Sequence, residues 1–69
     1  MLNDVRIELY GDRRIIIDGC KGLLEYRENI IRVALYKKTL TVTGTNLHLE
    51  NMTEDSITVC GAIEGAIFE

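Results

Sequence analysis

Few side chains in this 69-residue sequence could do chemistry, and Cys20, His48 and Cys60 are the ones that could ligate a soft metal or act as a nucleophile. Zinc sites draw on CxxC-type pairs or closely spaced histidines, and neither spacing is present. A thiol or hydroxyl nucleophile needs a base beside it and a carboxylate to orient that base. His48 is the single histidine, and no nucleophile elbow, phosphate-binding loop or paired-carboxylate motif accompanies it. His48 and Cys60 share outward parity on their strands, so the two can lie close together. The expected picture is an exposed histidine and two small, partly buried thiols. No catalytic residue, metal, cofactor or small-molecule substrate is expected, and the chain reads as a non-enzyme.

Two basic pairs, Arg13-Arg14 and Lys37-Lys38, raise a different possibility. If their turns met in space beside Tyr10, Tyr26 or Tyr36, they could hold single-stranded nucleic acid on a small β-barrel. The charge balance opposes this alternative: 8 basic residues stand against 11 acidic ones, for a net charge of -3. Nucleic-acid affinity rests mainly on positive charge. The pairs read instead as turn and edge charges that discourage sheet-to-sheet aggregation.

Whatever these residues do, strands must position them. Four times the sequence places two apolar residues at alternate positions and then a glycine: Ile7-Glu8-Leu9-Tyr10-Gly11, Ile15-Ile16-Ile17-Asp18-Gly19, Leu40-Thr41-Val42-Thr43-Gly44 and Ile57-Thr58-Val59-Cys60-Gly61. Each copy reads as a strand with one buried face, closed by a turn at Gly11, Gly19, Gly44 or Gly61. The copies are unevenly spaced, which excludes a solenoid. Further strands are expected at Leu23–Tyr26, at Ile31, Val33 and Leu35, at Leu47–Leu49 and at Ala62–Phe68, with Asn51–Ser56 as the longest loop and Gly65 marking a bulge. Residues 23–35 also fit the spacing of an amphipathic helix. Asn29, the β-branched Ile30, Ile31 and Val33, and the lack of an N-cap favour two strands.

The predicted fold is all-β, one domain over residues 1–69: a small antiparallel sheet of about seven short strands, curled into a roll, sandwich or partly open barrel. Ile17, Val42, Leu47 and Val59 are its expected core. Ile16, Leu23, Ile30 and Tyr36 fall on the opposite face and would form an exposed apolar patch. A domain this small gains from covering it with a second chain, so a homo-oligomer using these four residues is expected. The polar start, Met1 to Arg6, does not read as a signal peptide, so none is expected, and no apolar run is long enough to span a membrane as a helix. The expected compartment is the cytoplasm, where both cysteines would be reduced.

Nearly everything from Val5 onward resembles the YabP/YqfC family of sporulation proteins, and its YqfC-like branch in particular. The carrying stretches are Ile15-Ile16-Ile17-Asp18-Gly19-Cys20-Lys21-Gly22-Leu23-Leu24-Glu25-Tyr26 and Ile31-Arg32-Val33, then Leu40 to Leu49, and Ile57 to Phe68. The resemblance implies a small cytoplasmic protein of the mother cell that serves spore morphogenesis or assembly through protein–protein binding, without enzymatic activity or cofactor. A membrane-associated sporulation protein of the YqfD type is the partner it implies. Family members commonly carry more residues before the first strand, and often a glycine where this chain has Lys37-Lys38-Thr39.

Overall fold

The computed structural model describes residues 5–69. Met1 to Asp4, which carry most of the polar start read above, lie outside the described residues. Among the described residues there is no helix, so none is long and apolar enough to cross a membrane. The strands are β1 (Arg6–Tyr10), β2 (Arg14–Asp18), β3 (Gly22–Tyr26), β4 (Ile30–Leu35), β5 (Lys38–Met52) and β6 (Ser56–Phe68). They form a 6-stranded antiparallel sheet in the order β1-β2-β6-β5-β4-β3. The two edges, β1 and β3, are not paired to each other, so the sheet curls without closing into a barrel.

Six strands form, fewer than expected, because Gly44 and Gly61 do not end the strands they follow. β5 runs 15 residues through Gly44, and β6 runs 13 residues through Gly61. A straight strand of that length would reach about 50 Å, well beyond the molecule's longest extent of 33 Å. β5 therefore bends, and the pairing register with β6 shifts between Thr43 and Gly44, between Thr45 and His48, and between Leu49 and Asn51. At the bend the β3–β4 turn takes over main-chain hydrogen bonds, with Leu47 N donating to Glu28 O (2.7 Å) and Gly44 N to Asn29 O (3.2 Å).

Both glycines are placed there by steric need. A Cβ on Gly44 would collide with the Ala62 carbonyl oxygen, and one on Gly61 would lie 2.7 Å from the Asn46 carbonyl oxygen. Gly61 also has a φ of 135°, and Asn46 across from it has 55°, a conformation asparagine tolerates better than most residues. Gly11 and Gly19 do sit in turns, as expected, with φ of 63° and 87°. Asn51 and Met52 belong to β5, so the expected long loop shrinks to three residues between β5 and β6. Residues 22–35 form two strands, β3 and β4, and no helix.

The curl wraps one core. Ile15 and Ile17 of β2 and Ile57 and Val59 of β6 meet Ile31, Val33 and Leu35 of β4 and Leu40, Val42 and Leu47 of β5. The four expected core residues are all buried: Ile17, Val42 and Val59 at 0% exposure and Leu47 at 3%. The alternation in β4 is strict, with Ile31, Val33 and Leu35 buried and Ile30, Arg32 and Ala34 only partly so. That is the signature of a strand with one face on the core.

Candidate functional site

Cross-strand register assembles a polar row on the outer face. Tyr10 pairs with Arg14, Arg14 with Cys60, and Cys60 with His48, so four strands contribute one residue each. His48 and Cys60, which shared parity allows to lie close together, are thus directly paired. Glu50 joins the row because it is skipped in pairing, lying between Leu49, opposite Val59, and Asn51, opposite Thr58. Its carboxylate lies 3.3 Å from the Arg14 guanidinium and accepts a 3.5 Å hydrogen bond from the Cys60 thiol. Hydrogen bonding with Cys60, and then the charge of Glu50, raise the Arg14 pKa further, so the guanidinium stays charged. Tyr10 donates to Glu8 (2.9 Å), and that bond raises the phenol pKa because ionisation would break it and oppose two negative charges.

Cys20 is elsewhere. It is buried at the β2–β3 corner as part of the core, and burial raises its thiol pKa by disfavouring the thiolate. The three candidate metal ligands therefore do not converge, and the described residues contain no group of three or more His, Cys, Asp or Glu side chains placed to hold a metal ion. The His48 ring lies 3.1 Å from the Asn46 carbonyl oxygen through Nδ1. The row is thus an exposed surface shelf of mixed charge, with the Cys60 thiol at its centre.

A second feature lies at the opposite end of β1. Val5 and Ile7 share a recess with Leu35, Tyr36, Lys38 and Phe68. It holds about 360 Å³, at the low end for a ligand pocket and suited to an inserted side chain. Val5, Tyr36 and Phe68 are exposed at its rim. The Lys37 ammonium lies 5.5 Å from the Tyr36 ring centroid, and that of Lys38 lies 5.2 Å from the Phe68 ring. The turn between β4 and β5 places Lys37 at φ 65°, the left-handed conformation that glycine takes without strain.

The remaining expected groupings are rearranged. Ile16 lies on β2 and Ile30 on β4, and two strands, β6 and β5, separate them in the sheet, so they are not on neighbouring strands. Leu23 packs against the core, pairing with Val33, and the bulge that follows leaves Leu24 exposed, at 59%. Tyr36 belongs to the recess. The four residues named for the interface thus do not form one continuous outward patch. The two basic pairs do not meet either: Arg13 and Arg14 lie by the Tyr10 end of β1, and Lys38 by the Val5 end.

Sequence reasoning missed Glu50 and the recess. Glu50 enters the row through a register shift, which no alternation pattern shows. Phe68 and Val5 come together only because the sheet curls.

A curled, single-sheet all-β domain with an exposed polar shelf and an apolar recess is the class these features define. Residues 2–69 match the YabP family, so the chain belongs to that sporulation-associated family. No curated protein and no solved structure matches it.

Proposed function

We propose that this chain is a non-enzymatic factor of spore formation that works by binding another protein in the mother-cell cytoplasm. The observation that carries this reading is the apolar recess with its exposed rim of Val5, Tyr36 and Phe68. Apolar surface grouped in this way, and bordered by charge, is what protein interfaces use. The Lys37 and Lys38 ammonium groups add a positive border, so the complementary partner segment carries an apolar or aromatic anchor next to acidic residues. A membrane-associated sporulation protein of the YqfD type is the partner we favour, the one that the chain's resemblance to the YqfC-like branch implies.

Affinity capture from sporulating cells tests the reading, with wild-type chain and Phe68→Glu as parallel baits. A protein retained by the first and lost by the second supports it. Equal retention by both, or capture of nucleic acid in place of protein, overturns it.

A further inference from the structure

We infer that two copies of this chain pair through β1, antiparallel across a two-fold axis at Ile7, extending each sheet into the other. Among the described residues β1 has β2 on one side and no strand on the other. The direction of its main-chain groups follows from bonds that β2 makes elsewhere. Arg13 O accepts from Gly61 N (3.1 Å) and Gly19 N donates to Asp55 O (2.7 Å), so odd-numbered residues of β2 turn toward β6. Alternation in an antiparallel ladder then directs Arg14, Ile16 and Asp18 toward β1, where they face Tyr10, Glu8 and Arg6. The N–H and C=O groups of Ile7 and Leu9 are left pointing outward from the edge.

The other edge is less suited to pairing. β3 contains a register break between Leu23 and Glu25, and such bulges blunt an edge. In β1 all five residues pair with β2 without a shift, so its outer edge is regular.

Charge selects both the occupant and the register. Arg6, Glu8 and Tyr10 share the outer face of β1, while Ile7 and Leu9 share the inner one with Ile17 and Ile15. With the axis at Ile7, Arg6 of each copy faces Glu8 of the other, and Ile7 faces its own counterpart. Val5 of each copy then faces Leu9 of the other, on the core side of the sheet. Moving the axis to Arg6 or to Glu8 sets like charges opposite each other, which destabilises a strand pair. The Ile7-centred register also uses the outward main-chain groups, since Ile7 and its counterpart would exchange both hydrogen bonds. It covers Leu9, which is 64% exposed in the single chain, and Val5, at 37%. Leu9 of the second copy would extend the rim of the recess that Val5 borders.

Sedimentation of purified chain with Arg6→Glu and Glu8→Arg variants tests the arrangement. The wild type is expected to dimerise, and each variant alone to self-associate about tenfold more weakly or worse, because two opposed pairs become like-charged. An equimolar mixture of the two variants restores opposite charges at every pair and is expected to dimerise again. The double variant R6E/E8R, which exchanges the charges within one chain, is expected to do so as well. Melting curves recorded alongside identify loss of fold, and the double variant shares the Glu8→Arg and Arg6→Glu changes, so its recovery separates interface from stability effects. A wild type that stays monomeric at about millimolar concentration overturns the proposal. So do single variants that dimerise as the wild type does, or a mixture that fails to recover.

Discussion

Gly44 of β5 packs its α-carbon beneath the Ala62 carbonyl oxygen of β6, at a separation that leaves no room for a Cβ. The contact sits where β5 bends, and it lets the two long strands cross from one side of the core to the other. Gly44→Ala is expected to cost about 3 kcal/mol by overpacking against rigid backbone. Thr43→Val, at the half-buried neighbouring position, is expected to change stability far less. Denaturant midpoints of the two variants check this, and equal midpoints would show that the bend adapts freely.

The two thiols should react at different rates. Cys60 is partly exposed on the shelf, whereas Cys20 is buried in the core, and burial raises its pKa. A maleimide or disulfide reagent at neutral pH should label Cys60 in the folded protein and reach Cys20 only on unfolding. Mass spectrometry of partly labelled protein identifies the site, and early labelling of Cys20 would contradict the placement.

Glu69 couples stability to acid pH. The Arg32 guanidinium, 2.6 Å away, and then the Thr41 hydroxyl, at 3.0 Å, hold the Glu69 pKa below its ordinary 4.5. A carboxyl with a lowered folded-state pKa binds its proton more weakly folded than unfolded. Its stabilising contribution is therefore full above 4.5 and lost as pH falls through the lowered value. Glu69→Gln should reduce stability near neutrality and flatten its decline on acidification. Urea unfolding at pH steps between about 5 and 2 measures the slope, and parallel curves would exclude the coupling.

Lys37 holds a left-handed backbone in the turn between β4 and β5, at a cost of about 1 kcal/mol for a residue with a Cβ. Lys37→Gly relieves that strain and removes the ammonium from the Tyr36 ring, a contact worth about 0.5 kcal/mol when exposed. The variant should melt a few degrees higher than the wild type. A lower melting temperature would mean that the lysine contact outweighs the backbone strain.

The core was legible in the sequence because alternation encodes it directly: Ile15 and Ile17, Ile31 and Val33, and Ile57 and Val59 repeat every second residue and are all buried. That His48 and Cys60 share the outer face was legible for the same reason, whereas their direct pairing follows from strand order and register, which alternation does not encode. Strand number was not. A glycine after an alternating run signals a turn at Gly11 and Gly19, yet at Gly44 and Gly61 the same signal marks a close backbone approach inside a continuous strand. Local sequence does not distinguish the two, since the difference lies in what packs across from the glycine. The apolar patch failed at Leu23, because the bulge after it directs Leu24 outward. A one-residue shift of register reverses every side chain beyond it.

The strand order has a kinetic consequence. β2 forms a hairpin with β1 locally, but its other neighbour is β6, from the far end of the chain. Ile15 and Ile17 therefore stay uncovered until Ile57 and Val59 arrive, while β3, β4 and the first half of β5 can assemble from nearby residues. Closing that long loop is an entropic toll taken before the contacts return anything, and it places this small domain among the slow folders of its size, on the millisecond-to-second scale. The β1–β2 hairpin is the segment most exposed to wrong pairing during that interval, and its free edge is the same one that the two-fold pairing would occupy.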